Sequence, residues 1–259
     1  MTRELYAMLY ASKAAEEKIM EIYRAGFEVE IKEDDSPVTL ADKTADRIIR
    51  EILQRDFPDY GFLTEESTDD RSRLKKESIF VVDPVDGTKD FVKKNGQFTT
   101  NIAWVFKNEV IAGVVNLPST GETYFALKNG GAYYVSSDGK TERIHVNGKT
   151  NRLTMLVSNF HTTEEETSIF ENNRDRIEKI EHFGSAIKAC RIAHGLAEVS
   201  FRLNGHTKEW DTAASQIIVQ EAGGIFAQPD LTPIRYNRED VYNREGFVVL
   251  NRIENLFHK

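Results

Sequence analysis

Two consecutive hairpin patterns occupy the middle of the chain, and they restrict its fold more than any other feature of the sequence. Each pattern consists of two apolar, β-branched or aromatic runs that flank a short polar loop containing Asn. Such spacing is typical of antiparallel strands joined by a tight turn. The four runs are 99–106, 110–117, 123–127 and 132–135. The wholly apolar run 79–82 just before them predicts a buried strand. We therefore expect a largely antiparallel sheet.

Two amphipathic helices are predicted on the N-terminal side of this sheet. Apolar and small residues recur with helical spacing over 5–23, and Gly26 ends the pattern. A second helix begins near Thr39, places the apolar positions of 41–53 on one face, and stops before Pro58. Helices followed by hairpins predict an α+β architecture for this half of the chain.

After about residue 150 the pattern changes to alternating helices and strands. The predicted strands are 153–157, 199–203 and 246–251, and the predicted helices are 164–172, 185–196 and 212–221. Alternation of this kind predicts an α/β arrangement. We therefore divide the chain into an N-terminal α+β half, 1–150, and a C-terminal α/β half, 151–259.

Composition excludes several classes of protein. The 259 residues include 34 Lys and Arg against 42 Asp and Glu, and a net charge of −8 argues against a general nucleic-acid binder. Cys190 is the single cysteine, which excludes an internal disulfide and a cysteine-rich zinc site. No apolar run approaches the ~18 residues that span a bilayer. Glu4, Glu16 and Glu17 are unlike a signal peptide, so we expect a cytoplasmic protein, with peripheral attachment to the inner membrane left open.

Three acidic clusters are candidates for chemistry. They are Glu65-Glu66, the pair Asp83 and Asp86, and Asp211 after a tryptophan. Each has an ordinary structural alternative: an exposed acidic pair, a solvated turn, and a helix N-cap, respectively. Taken singly, none of the clusters decides between these interpretations.

The segment Asp83-Pro84-Val85-Asp86-Gly87-Thr88 has the composition of a metal and phosphate site. It follows the buried strand, and a turn at Pro84 is able to bring the carboxylates of Asp83 and Asp86 to one side. Gly87 leaves the backbone bare where an anion approaches. Two carboxylates beside such a turn suit a hard divalent cation that shares a phosphate ligand.

Four motifs in one order resemble the lithium-sensitive, magnesium-dependent phosphatase superfamily. The motifs are SPVTLAD (36–42), FLTEES (62–67), DPVDGT (83–88) and WDTAA (210–214). The superfamily includes inositol monophosphatases, fructose bisphosphatases and bisphosphate nucleotidases. The resemblance covers essentially the whole chain and implies a layered αβαβα sandwich with the site between its halves. It also implies inhibition by lithium.

One subgroup, the 3'(2'),5'-bisphosphate nucleotidases, is the most similar. Lys89 follows DGT, as in that subgroup, and SNFHTTEE (158–165) and GSAIKACRIAHGLAEVSFRL (184–203) also resemble it. The resemblance implies hydrolysis of adenosine 3',5'-bisphosphate, and of its 5'-phosphosulfate relative, to leave AMP in the bisphosphate case. The alternatives are an inositol monophosphatase or other sugar-phosphate phosphatase, and a catalytically silent binding protein. Either a monomer or a homodimer is expected.

The resemblance also implies roles for individual residues. Two or three magnesium ions would be bound by Glu65, Asp83, the carbonyl of Val85, Asp86 and Asp211. The attacking water would be polarised by Asp42 and Thr88, and the scissile phosphate would be held by the amides of Gly87 and Thr88. The nucleotide and its second phosphate would be held by His161, Ser185, Lys188 and Arg202.

Four further expectations concern the surroundings of these residues. Asp42 lies three residues after Thr39, so a helix capping box is an equal alternative to a catalytic role. Ser185 and Lys188 are spaced to share one helix face at a helix N-terminus. The acidic loop 30–37 is expected to close over the site with another metal, and the variable stretch 204–209 to shape the adenosine pocket.

Overall fold

A seven-stranded sheet occupies the centre of the computed structural model, which describes residues 1–31 and 37–257. Its strands are β3 (Gly61–Thr64), β4 (Ser78–Asp86), β5 (Thr99–Phe106), β6 (Glu109–Leu117), β7 (Glu122–Leu127), β8 (Gly131–Val135) and β9 (Thr141–Ile144), neighbours in chain order. β3 and β4 are parallel, and every other pair is antiparallel. The two predicted hairpins are confirmed. A short antiparallel pair, β1 (Val29–Ile31) and β2 (Pro37–Thr39), lies outside this sheet.

Two helices cover one face of the seven-stranded sheet. They are α1 (Arg3–Ala25) and α2 (Leu40–Asp56), as the apolar spacing predicts. Met8, Ala15 and Ile19 of α1 and Ile49 of α2 are fully buried against Phe80 and its neighbours in the sheet. Burial of this apolar face, and not intrinsic helix propensity alone, holds both helices in place.

A second sheet of five strands lies behind the first. Its strands are β10 (Leu153–Val157), β11 (Ile177–His182), β12 (Val199–Arg202), β13 (Ile225–Ala227) and β14 (Phe247–Leu250), in the order β11-β10-β12-β14-β13. β10 is parallel to both of its neighbours, and β14 is antiparallel to both of its own. The sheet is therefore mixed, with its antiparallel part toward the end of the chain.

Two helices fill the space between the sheets, and another covers the outer face. α5 (Ile187–Ala193) and α6 (Glu209–Glu221) share one core with strands of both sheets, whereas α4 (Glu164–Asn172) packs on the far side of the five-stranded sheet. The approach of α6 to β6 is so close that a Cβ on Gly113 would lie 2.4 Å from the carbonyl oxygen of Ala214. The layers run α, β, α, β, α, and the predicted fold class is confirmed. The boundary near residue 150 stays a prediction.

Three predicted element boundaries are wrong. β4 continues through Asp86 and does not end at Asp83. α5 spans only Ile187–Ala193, because Ser185 takes a left-handed backbone conformation, with φ of 49°, that cannot extend a helix. α6 begins at Glu209, three residues before the predicted start, so Asp211 lies inside its first turn and is not the N-cap.

Candidate active site

The acidic residues meet at one edge of the seven-stranded sheet. β3 and β4 are parallel, so their carboxyl ends lie side by side, with Thr64 opposite Val82 in the register. The Glu65 amide donates to the Val82 carbonyl at 3.2 Å, and this bond places Glu65 beside Asp83. The first turn of α6 brings Asp211 to the same edge.

A β-bulge turns Asp83 and Asp86 to the same face. Residues three apart on a regular strand point to opposite faces. Here Asp83 pairs with Asn101 and Asp86 with Thr99, so two residues of β4 oppose one residue of β5. Because Asn101 and Thr99 are two residues apart and share a face, their partners Asp83 and Asp86 also share a face. The bulge contains Pro84, whose carbonyl accepts a hydrogen bond of 2.8 Å from the buried Thr100 hydroxyl. The carboxylates are thus brought together by a bulge within a strand, and not by the turn that the sequence suggested.

Three aspartates form a cluster with the chemistry of a divalent-cation site. One carboxylate oxygen from each of Asp83, Asp86 and Asp211 lies within 4.8 Å of the others. Removal from water raises the pKa of Asp83 well above its usual value, and the negative charge of Glu65 raises it further. The pKa of Asp211 is raised to about 8 by burial and by Asp86, and that of Asp86 to about 6 by burial. Mutual repulsion among oxygen donors is what a hard cation relieves, so these residues fit a magnesium-type ion.

Asp86 also receives hydrogen bonds that orient its carboxylate. Its Oδ2 accepts from the Ala186 amide at 2.8 Å and from the Asn101 side chain at 3.1 Å. The first bond comes from the loop before α5, and therefore from the other side of the cavity. It leaves Oδ1 of Asp86 available to the cluster.

Asp42 caps its helix and contacts Thr88 at the same time. Its Oδ2 accepts from the Thr39 amide at 2.8 Å and from the Thr39 hydroxyl at 2.6 Å, which completes the capping box. Its Oδ1 accepts from the Thr88 hydroxyl at 3.3 Å. The Thr88 hydroxyl also lies 3.2 Å from the carbonyl of Val85. Capping and contact with Thr88 are therefore compatible, because each uses a different oxygen.

Gly87 turns the chain between β4 and α3 (Thr88–Val92). Its φ of 90° lies in the region that favours glycine, and a Cβ there would lie 3.1 Å from the Gln97 carbonyl oxygen and 3.3 Å from the Ser185 Cβ. Gly87 and Thr88 line the cavity beside Asp86. Gln97 and Ser185 therefore fill the space that a side chain at Gly87 would need.

Cationic side chains line the same cavity as the acidic cluster, and the charge of Lys188 opposes the effect of burial on the pKa of Asp86. Lys188 donates to the carbonyls of Phe183 and Ser185 at 3.0 and 2.9 Å, and Arg202 donates to the carbonyl of His161. Partial burial lowers the pKa of His161, and the positive charges of Lys89, Arg202 and Lys188 lower it further. All of these charges therefore act on one region of the cavity.

Ser185 is placed differently from the prediction. It precedes α5 and so does not share a helix face with Lys188, and α5 is too short to offer the predicted anion site at its N-terminus. The Ser185 hydroxyl is buried without a hydrogen-bond partner among the described residues, and Ser185 lines the cavity. A side chain in that state suits a ligand oxygen.

One cavity of about 590 Å³ is lined by both the acidic and the cationic residues. Of the predicted site residues, those that line it are Glu65, Asp86, Gly87, Thr88, His161, Ser185, Lys188, Arg202 and Asp211. The other three, Asp42, Asp83 and Val85, are buried directly behind that lining. Glu33, Asp34 and Asp35 of the predicted closing loop lie outside the described residues.

Sequence reasoning missed an aromatic and polar wall of the cavity. Phe160, Trp210 and Tyr242 line it together with Thr207 and Lys208. The Lys208 ammonium lies 5.2 Å from the ring centre of Trp210 and 5.6 Å from that of Tyr242. In the sequence, only the variable stretch before Trp210 pointed to this wall. Tyr242 is distant in sequence and is brought there by a backbone bridge to Lys208.

The described residues include no helix both long and apolar enough to cross a membrane.

Comparison with known sequences places the chain among phosphatases. The sequence model of the inositol monophosphatase family matches residues 1–256. The 3'(2'),5'-bisphosphate nucleotidase CysQ of Aggregatibacter actinomycetemcomitans is 31% identical over 253 residues, which cover 96% of this chain and 93% of that protein. The protein of the same name from Escherichia coli K12 is 31% identical over 92% of this chain and 96% of its own length.

Solved structures agree with this placement. The crystal structure of CysQ from Bacteroides thetaiotaomicron is 35% identical, covers 96% of this chain and 97% of its own, and superposes with a TM-score of 0.82. An inositol monophosphatase from Thermotoga maritima is 25% identical, with 94% and 90% coverage and a TM-score of 0.79. The chain therefore belongs to the inositol monophosphatase family and is a metal-dependent phosphomonoesterase of that family.

Proposed function

We propose that this protein hydrolyses adenosine 3',5'-bisphosphate to AMP and inorganic phosphate with the aid of magnesium. One observation carries the proposal: a single cavity is lined both by members of the carboxylate cluster and by Lys188 and Arg202. We call the carboxylates the metal end and the two cations the cationic end. A monophosphate needs only the metal end, whereas a substrate with a second phosphate uses both.

The residues for the metal end follow from the acidic cluster. Two or three magnesium ions would be held by Glu65, Asp83, the carbonyl of Val85, Asp86 and Asp211. When bound, such ions neutralise phosphate charge and lower the pKa of a coordinated water. The amides of Gly87 and Thr88 would hold the scissile phosphate against the bare turn.

Thr88 and Asp42 are the groups proposed to orient the attacking water. A hydroxyl has one proton, so Thr88 donates either to Asp42 or to the Val85 carbonyl at any moment. When that carbonyl has another partner, the proton is directed to Asp42. A lone pair of the Thr88 oxygen then accepts a hydrogen bond from the water, which orients the water oxygen toward phosphorus.

The cationic end accounts for the second phosphate. Lys188 and Arg202 supply charge, and the unpartnered hydroxyl of Ser185 and the ring of His161 supply polar contacts beside them. Relatives at about 31% identity carry the name 3'(2'),5'-bisphosphate nucleotidase, which supports this substrate class. The same two ends would accept the 5'-phosphosulfate relative of the substrate.

The test measures phosphate release, with magnesium, from adenosine 3',5'-bisphosphate and from inositol 1-phosphate in parallel. We expect a strong preference for the nucleotide. Lys188→Met should raise KM for the bisphosphate by about 10- to 100-fold. Its effect on inositol phosphate turnover should be smaller and should come through Asp86, on which the Lys188 charge also acts. Lys179→Met, on an exposed strand, is the matched control. Preference for inositol phosphate would leave the metal end intact and reject the nucleotide substrate.

A catalytically silent binding protein is the remaining alternative. Asp86→Asn distinguishes it, because loss of one cluster carboxylate should lower turnover on the order of 10³-fold in an enzyme. In a binding protein there is no turnover to lose. Lithium at tens of millimolar, on the order expected for a weakly bound ion, should also inhibit the enzyme.

A further inference from the structure

A polar cluster beside the cavity joins its two sides. None of its residues is among those proposed to bind metal or substrate or to orient the attacking water. It consists of Asp90, Asn95, Gln97, Asn159 and Gly184, and is called the clasp below. The first three residues follow the turn at Gly87 on the acidic side. The other two belong to the segments that carry His161 and Ser185 on the cationic side.

Hydrogen bonds connect the clasp across the cavity. Asn159 donates through Nδ2 to Asp90 Oδ1 at 2.6 Å and to Gln97 Oε1 at 2.8 Å. The Gly184 amide donates to the same Gln97 oxygen at 2.8 Å. Asn95 donates to Asp90 Oδ1 at 2.5 Å. Two residues of the cationic side are thus tied directly to two residues of the acidic side.

Close packing makes the clasp rigid. A Cβ on Gly184 would lie 2.3 Å from Asp90 Oδ2 and 2.5 Å from the Gln97 carbonyl oxygen. The Gln97 carbonyl oxygen is also near Gly87, 3.1 Å from where a Cβ on that residue would be. One peptide group is therefore held between the glycine of the phosphate turn and the glycine before Ser185.

The clasp is costly to bury, which is an argument that it does more than fill space. Asp90 is only 3% exposed, and among the described residues its side-chain hydrogen bonds come from two amide groups and not from a cation. Its charge acts to raise the pKa of the buried Lys188, so that cation offsets part of the cost of burying Asp90. The hydrogen bonds must offset the rest, because a buried carboxylate is unfavourable unless it is well hydrogen-bonded. A satisfied polar network of this kind specifies one geometry more strictly than apolar packing does.

We infer that the clasp sets the separation between the two phosphate-binding ends, and so makes Asp90, Gln97 and Asn159 positioning residues that select bisphosphates. The inference rests on the proposed function. Gly87 and Thr88 are on one side of the clasp, and His161, Ser185 and Lys188 are on the other. A substrate whose two phosphates are a fixed distance apart gains from both ends only if that separation is held, because small misplacements are costly in binding and catalysis.

The test compares adenosine 3',5'-bisphosphate with adenosine 3'-phosphate, which has the same base, sugar and scissile group. Asn159→Ala removes both cross-cavity bonds of that side chain and inserts no atom beside the Gly87 turn. For this variant we expect KM for the bisphosphate to rise about tenfold, and kcat and KM for adenosine 3'-phosphate to change by less than about threefold. Asn173→Ala, a half-buried amide at the end of α4, is the control and should alter neither substrate.

The outcomes separate the inference from the proposed function. If the unmodified protein shows no preference for the bisphosphate over inositol 1-phosphate, the proposed function is wrong and the inference is wrong with it. If that preference exists and Asn159→Ala keeps it, only the inference is overturned. Equal loss on both adenosine substrates, together with a lowered thermal midpoint, indicates a general structural role and also overturns it.

Discussion

Asp42 uses its two carboxylate oxygens for different tasks. Oδ2 completes the cap of α2 with Thr39, and Oδ1 accepts from the Thr88 hydroxyl. The cap fixes the rotamer of the side chain, so the oxygen that faces Thr88 is positioned without additional partners. The pKa of Asp42 is raised by burial, which its hydrogen bonds from Thr39 partly oppose. A residue that stabilises the helix is therefore also held ready beside the turn.

The Thr88 hydroxyl offers a direct test of this arrangement. Thr88→Val keeps the shape of the side chain and removes the oxygen, so we expect kcat to fall by about 10²-fold or more with little change in thermal midpoint. Thr88→Ser retains the hydroxyl and should recover most of the activity. Equal activity of the Val and Ser variants, measured as phosphate release under saturating substrate, would contradict a role in orienting water.

Residue types and their order were sufficient to nominate the candidate residues, but not to show their geometry. The T-x-x-D pattern left helix capping and a catalytic role as alternatives for Asp42, because a sequence does not show that the two carboxylate oxygens contact different groups. For Ser185, spacing along the sequence led to a wrong prediction. Its spacing from Lys188 predicted a shared helix face, whereas its positive φ places it in a turn before the helix.

The β4 bulge is the element that decides where the metal end lies. It converts an odd spacing between Asp83 and Asp86 into a shared face. The Thr100 hydroxyl donates to the Pro84 carbonyl within the bulge, and the Val85 amide donates to Asp83 Oδ1 at 3.1 Å. Proline supplies no amide to the ladder, so a bulge is a natural place for it within a central strand. Bulges of this kind are commonly found next to active sites.

Thr100→Val tests the bulge. The variant leaves a buried carbonyl without its partner, which should cost about 1–3 kcal/mol in free energy of unfolding. We also expect magnesium to be bound more weakly, by about tenfold or more, because the two aspartates lose their common orientation. Thr141→Val, at an exposed position of the last strand of that sheet, is the control. Weakened stability with unchanged magnesium affinity, by calorimetry, would show that the bulge does not set the site.

Elements with strong apolar patterns were predictable, and edge strands were not. The hairpins and the helices α1, α2 and α4 follow from periodicity, because burial of one face imposes that periodicity on the sequence. β11 was missed since it is an edge strand whose residues 178, 179, 181 and 182 are charged or polar, with little of its surface buried. Such strands form because a neighbouring strand offers hydrogen bonds, a fact that local sequence does not reveal.

Across the whole molecule, the acidic cluster makes stability depend on pH and on cations. The usual pKa of aspartate is 3.8, whereas the pKa of Asp86 is about 6 and that of Asp211 about 8 in the fold. Below pH ~4 both groups are protonated in the folded and unfolded states, and their full contribution to stability is present. As pH rises through the raised values, the folded state must ionise against repulsion and that contribution is lost.

Thermal unfolding of metal-free protein should show this effect. We expect the midpoint to fall by roughly 5 °C or more between pH 5 and pH 8, and magnesium to restore it more at pH 8 than at pH 5. In Asp211→Asn the fall should be smaller, because one of the repelling charges is gone. The exposed Asp230→Asn is the control. A midpoint independent of both pH and magnesium in the unmodified protein would argue against a cation site at this cluster.

The order of synthesis along the chain determines when α6 is able to pack on the seven-stranded sheet. β4 and β5 are synthesised long before Asp211, and the face of β6 at Gly113 has no cover until α6 arrives. An unfinished chain therefore carries an incomplete cluster and exposes apolar sheet surface to chaperones and proteases. A cation that needs all three aspartates stabilises only the completed fold. Cellular magnesium would then protect finished molecules selectively and leave interrupted ones open to degradation.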